Sequence, residues 1–102
     1  MCHPHPLYGG SMSSCVVVSV CEQLNQEGIT ALRFNFRGVG RSQGKYDEGV
    51  GEVDDALAAV SFLTTLPNVN PARIGIAGYS FGAYVALRAA VDDERIAAAA
   101  AI

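Results

Sequence analysis

Long apolar runs are missing from this 102-residue sequence: the longest, Ile96 to Ile102, is far short of the roughly 20 residues of a membrane-spanning helix. Membrane insertion through such a helix is therefore not expected. Clustered basic charge is missing as well. Seven Lys or Arg stand against ten Asp or Glu, a net charge of −3, with no positive run, which excludes an electrostatic face for nucleic acid. Cysteine is scarce and odd in number. Cys2, Cys15 and Cys21 include two in one predicted helix, a pattern of reduced thiols, not of a disulfide framework. There is no Asn-x-Ser/Thr acceptor, and Met1-Cys2-His3-Pro4 lacks the basic flank and apolar stretch of a secretory leader, so the cytoplasm is the expected compartment. Linkers, repeats and low-complexity segments are absent too, and the length allows one domain.

What is present is a core-forming composition, half apolar and 17% charged. Met12, Cys15, Val16, Val20 and Leu24 follow helical spacing up to Gly28, a glycine suited to a left-handed stop. The β-branched run Val16 to Val18 would also suit a strand. Ile29 to Phe36 alternates like a strand, and a glycine-rich loop from Gly38 to Gly51 follows. The next helix carries Glu52, Asp54 and Asp55 in its first turn, favourable at the positive end of its dipole, and closes at Pro67. After a turn at Asn68 to Pro71, Arg73 to Gly78 reads as a buried strand, Phe81 to Val91 as a helix and Arg95 to Ile102 as a strand. Alternating helices and strands predict an α/β fold, a parallel sheet with helices on both faces.

One serine stands out within this order. Gly78-Tyr79-Ser80-Phe81-Gly82 is a Gly-x-Ser-x-Gly pattern placed between a strand and a helix. A sharp strand-to-helix turn lifts a weakly nucleophilic hydroxyl above the sheet, and the flanking glycines remove side chains that would collide. The helix that follows aims free amides at the oxygen that becomes negative when a carbonyl is attacked. With 11 glycines in the sequence, chance supplies only about 0.08 such matches. Yet Gly40-Arg41-Ser42-Gln43-Gly44 matches too. Ser42 lies in a polar stretch with no helix opening behind it, so Ser80 is the candidate nucleophile and Ser42 a loop residue.

The stretch His3-Pro4-His5-Pro6-Leu7-Tyr8-Gly9-Gly10 admits three readings. Cys2, His3 and His5 could ligate a metal, but no second ligand cluster completes a site, and no metal is expected. The stretch could be a rigid turn held by two prolines. The favoured reading is a loop that brings a second amide to the oxyanion served by Phe81. Because Pro6 has no amide hydrogen, Leu7 is the candidate donor, with Tyr8 second.

The strings CHPHPLYGGSM, LRFNFRGVGRSQGKYDEGVGE and IGIAGYSFGAYVA resemble, in order, the small bacterial serine hydrolases of the α/β-hydrolase superfamily related to dienelactone hydrolase and acyl-peptidase-like esterases. The resemblance covers almost the whole chain. It implies a three-layer sandwich whose first string follows the third strand and holds the oxyanion loop, with Ser80 as nucleophile and Phe81 and Leu7 as amide donors. It implies a small acyl substrate, hydrolysed as an ester, thioester or amide through an acyl-enzyme, without a cofactor.

A serine nucleophile needs a histidine base and an acid, ordered Ser, acid, His in this fold. No histidine follows Ser80, and Asp92, Asp93 and Glu94 read as a solvated turn one helix away. His3 and His5 could approach Ser80 only in a rearranged triad. The expectation is an incomplete domain over residues 1–102, lacking early strands and the acid and histidine segments, and inactive alone. Its last strand should present an open apolar edge that favours aggregation. Two rival functions stand beside hydrolysis: a dinucleotide site, poorly matched by Gly38-x-Gly40-x-x-x-Gly44, and a non-catalytic binding protein on the same scaffold.

Overall fold

The computed structural model describes all residues, 1–102. Helix α1 (Cys15–Gln26) begins behind Ser14. It ends in a paired carbonyl lock: Ile29 N–H donates to the Leu24 carbonyl at 2.9 Å and Gly28 N–H to that of Asn25 at 3.1 Å. Gly28 sits at φ +79°, the left-handed geometry that such a stop needs. The valines expected to suit either structure are helical here, and Val17 and Cys21, one turn apart, are buried together. Met12 precedes the helix instead of opening it, its amide held by Asn35 Oδ1 at 2.9 Å.

Residues 29–36 correct the expectation of a strand. They form no ladder, because pairing requires repeated bonds to a neighbouring backbone, and the stretch Met1 to His3 beside them makes only two bonds to them. The Met1 ammonium donates to the Leu32 carbonyl at 2.8 Å, and Phe36 N–H donates to His3 Nε2 at 3.0 Å. Alternation in the sequence sets a preference for extended backbone and a buried side, here that of Phe36, but it supplies no hydrogen-bond partner.

The glycine-rich loop leads into α2 (Val50–Thr64). Glu52 lies in the first turn of this helix, as expected. It is fully buried and accepts the amides of Asp47 at 2.8 Å and Gly49 at 2.9 Å, tying the loop to the helix as a reciprocal cap does. Arg37 is fastened to Asp55 by its own amide at 2.9 Å and by a forked guanidinium contact, which fixes the other end of the loop.

Strands β1 (Ile74–Gly78) and β2 (Ile96–Ala101) run parallel, connected by α3 (Phe81–Asp92). Cys2 adds a single parallel bridge to Gly78 on the far side of β1. The core joins Ile74, Ile76 and Ile96 of the sheet to Val53, Ala56 and Val60 of α2 and to Val85, Ala86 and Ala89 of α3. Gly75, Ala77 and Ala98 to Ala100 instead border a cavity of about 430 Å³ that also touches Leu24 of α1 and Ile29 to Leu32. The α/β architecture with a parallel sheet is as expected. Residues Ala97 to Ala101 are exposed along the last strand, the open edge foreseen from the sequence.

Candidate active site

The turn from β1 into α3 has no room for side chains at its two glycines. A Cβ on Gly78 would run into the Gly82 carbonyl, and one on Gly82 into the carbonyls of Cys2 and His3. Between them Ser80 adopts φ 58°, ψ −119°, a conformation that costs an ordinary residue about 1 to 3 kcal/mol. The strain is held from both sides. Ser80 N–H donates to the Ile102 carbonyl at 3.0 Å, Ile102 N–H to that of Gly78 at 3.0 Å, and Tyr79 N–H to that of Cys2 at 3.2 Å.

Ser80 is exposed, and its hydroxyl does not cap α3. Phe81 is the first residue of the helix, so no helical carbonyl lies four residues before it and its amide is open. Ser42 is placed differently. Its hydroxyl donates to the Asn35 carbonyl at 2.8 Å inside the loop, where Gly40 and Gly44 take positive φ to make turns.

The segment His3 to Gly10 does lie beside the elbow, since the His5 ring sits 4.8 Å from that of Phe81. Its hydrogen bonds redistribute the expected roles. The Leu7 amide, the expected second donor, is engaged with His5 Nδ1 at 3.1 Å, and the Tyr8 amide with the His5 carbonyl at 3.1 Å. The loop closes on itself as a 3₁₀ turn, Pro6–Tyr8, with His5 as its cap. The His5 amide, which like that of His3 has no acceptor in the chain, is free to serve instead. The sequence held one signal for this: His5 lies between two prolines, neither of which has an amide to offer.

Neither histidine is available as a base. His3 is fully buried, with Nδ1 donating to the Pro4 carbonyl at 2.7 Å and Nε2 accepting from Phe36. Burial lowers its pKa, outweighing the opposing effect of the Pro4 carbonyl. Both nitrogens are spent on the main chain, which removes His3 from metal ligation as well. In His5, Nδ1 accepts from Leu7 and Nε2 faces the Tyr46 hydroxyl at 3.3 Å. Burial pushes the Cys2 thiol up to about 11, so it stays protonated. At the far end of α3, Asp93 is paired with Arg95 at 2.6 Å. A helix of 12 residues is about 18 Å long, which separates that carboxylate from Ser80. The surface-turn reading of Asp92 to Glu94 stands.

The profile of the X-Pro dipeptidyl-peptidase (S15 family) matches residues 8–102. The chain is 52% identical over 86 residues to the uncharacterized protein RP471 of Rickettsia prowazekii, covering 84% of this chain and 36% of that protein. It is 41% identical over 83 residues to the polyketide transferase claH of Penicillium crustosum, covering 78% and 27%. A solved structure of an alpha-beta serine hydrolase homologue from Coxiella burnetii superposes with a TM-score of 0.88 at 44% identity, covering 98% of this chain and 47% of that one. The chain thus spans less than half the length of each. No helix of the protein is long and apolar enough to cross a membrane. With the elbow and its neighbouring loop set on a parallel sheet in that shared order, the chain belongs to the X-Pro dipeptidyl-peptidase (S15) family of the α/β-hydrolase superfamily.

Proposed function

We propose that the protein is a serine hydrolase that cleaves a carboxylic ester, thioester or amide in a small acyl substrate, with Ser80 as nucleophile. The single observation that carries this reading is the strained, exposed Ser80, whose hydroxyl is left out of the helix cap beside the open Phe81 amide. Ser80 Oγ would attack the carbonyl carbon while its proton passes to a base. The tetrahedral oxyanion would be met by the Phe81 amide and, in place of Leu7, by the amide of His5. Collapse would expel the leaving group with that proton and leave an acyl-enzyme, which water then cleaves to return the hydroxyl. Because both histidines of this chain are engaged in main-chain and phenol contacts, the base and its acid are assigned to other parts of the whole protein. The three free thiols support a reducing compartment, the cytoplasm.

The test is covalent labelling by a fluorophosphonate in protein expressed from its complete coding sequence. Labelling should be lost in Ser80→Ala and kept in Ser42→Ala. Retention in Ser80→Ala would overturn the assignment, and no labelling of the unaltered protein would favour a non-catalytic binding role. The 41% identity to a protein named as a polyketide transferase favours a second reading, in which an alcohol or amine takes the acyl group instead of water. Adding such acceptors during ester turnover separates the two, because transfer yields a new ester or amide and hydrolysis yields only acid.

A further inference from the structure

His5 is the hub of its loop. Its carbonyl accepts the amides of Tyr8 at 3.1 Å and Gly10 at 3.0 Å, and its ring accepts that of Leu7 at 3.1 Å. The ring also lies 4.7 Å from Tyr8, 5.1 Å from Tyr46 and 4.8 Å from Phe81. The Leu7 N–H can only donate, so Nδ1 must carry the lone pair. In the neutral ring the proton is then on Nε2. What Nε2 meets is the hydroxyl of Tyr46, 41 residues away along the chain, at 3.3 Å. Tyr46 is itself fixed, because the next residue, Asp47, and Gly49 both donate their amides to the buried Glu52 carboxylate.

We propose that Tyr46 is a positioning residue of the oxyanion loop: by accepting a hydrogen bond from His5 Nε2–H it selects the tautomer whose Nδ1 holds the Leu7 amide, and so fixes the direction of the His5 amide. This rests on the serine-hydrolase reading only for its consequence in catalysis. Burial, followed by the carboxylates of Glu52 and Glu48 and by Tyr8, raises the pKa of the Tyr46 phenol, so its oxygen stays neutral and can accept. With the wrong tautomer, Nδ1–H would face Leu7 N–H, donor against donor, and the turn would lose its cap.

Tyr46→Phe keeps the ring and removes only the oxygen. In protein expressed from its complete coding sequence, the His5 ring ¹⁵N shifts at pH 8 should report the Nε2–H form in the unaltered protein and a tautomer mixture in the variant. Leu7 amide exchange should quicken about 10-fold in the variant, and kcat for a p-nitrophenyl ester should fall about 10-fold with KM within twofold. An unchanged tautomer and unchanged Leu7 exchange in the variant would overturn the proposal. Should the variant fail to fold, a proton on Nδ1 in the unaltered protein would do the same. Absence of any ester turnover would count against the hydrolase reading alone, since the ring shifts and Leu7 exchange judge the Tyr46 link without it.

Discussion

Two five-residue stretches of this chain obey the same Gly-x-Ser-x-Gly pattern and do opposite things with it. In residues 78–82 the glycines are there because backbone crowds them: a side chain on either would strike a main-chain carbonyl. In residues 40–44 they are there for their positive φ, and what stands near them is the side chains of Asn35 and Arg37. The serines differ in the same sense. Ser42 spends its hydroxyl on a carbonyl and relaxes its loop, whereas Ser80 is left with a strained backbone and an uncommitted hydroxyl. A motif becomes a site when its neighbours hold it in a conformation it would otherwise leave.

The strongest way to break this comparison is at the glycines. Gly82→Ala should remove more than about 3 kcal/mol of stability, because the carbonyls of Cys2 and His3 belong to a fixed backbone. Gly44→Ala should lose only about 1 kcal/mol, for its positive φ. Urea midpoints of the two variants would test the ranking, and equal losses would show that both stretches are alike.

The next test concerns His3, which lies between the two stretches, its ring holding Phe36 and its carbonyl abutting Gly82. Its folded-state pKa lies below the unfolded value of 6.5, so on acidification the unfolded chain takes up the proton first. Stability should therefore be intact above about pH 6.5 and fall as the pH drops from there toward the folded value. A melting temperature followed from pH 7.5 to 5 should show the decline, and His3→Gln should flatten it.

The smallest expected effect is the most direct. Ser80→Gly should stabilise the chain by about 1 kcal/mol by releasing backbone strain, while Ser42→Ala should destabilise it by about 1 kcal/mol through the lost bond to Asn35. Calorimetry giving both changes the same sign would contradict the distinction drawn between them.

Much of the frame was legible because it depends on local rules. Gly28 ends α1 as a left-handed stop, and the helix expected directly behind Ser80 is there. Three features were not legible. The alternation of residues 29–36 says nothing about whether a backbone lies alongside to make a ladder. The Leu7 amide is taken by an imidazole two residues earlier, a side-chain choice that periodicity does not encode. Tyr46 comes from the polar glycine loop and the buried Glu52 from the first turn of α2, and the contacts of both exist only once the chain has folded.

The sequence by itself determined the three helices, the two paired strands and the sharp turn between strand and helix at Ser80, since apolar spacing and glycine placement act over a few neighbouring residues. Tertiary structure decided which amides and imidazoles remained uncommitted. Hydrogen bonds such as that between His5 and Tyr46 join distant segments, and their donors are assigned only when burial brings those segments together and requires each polar group to find a partner.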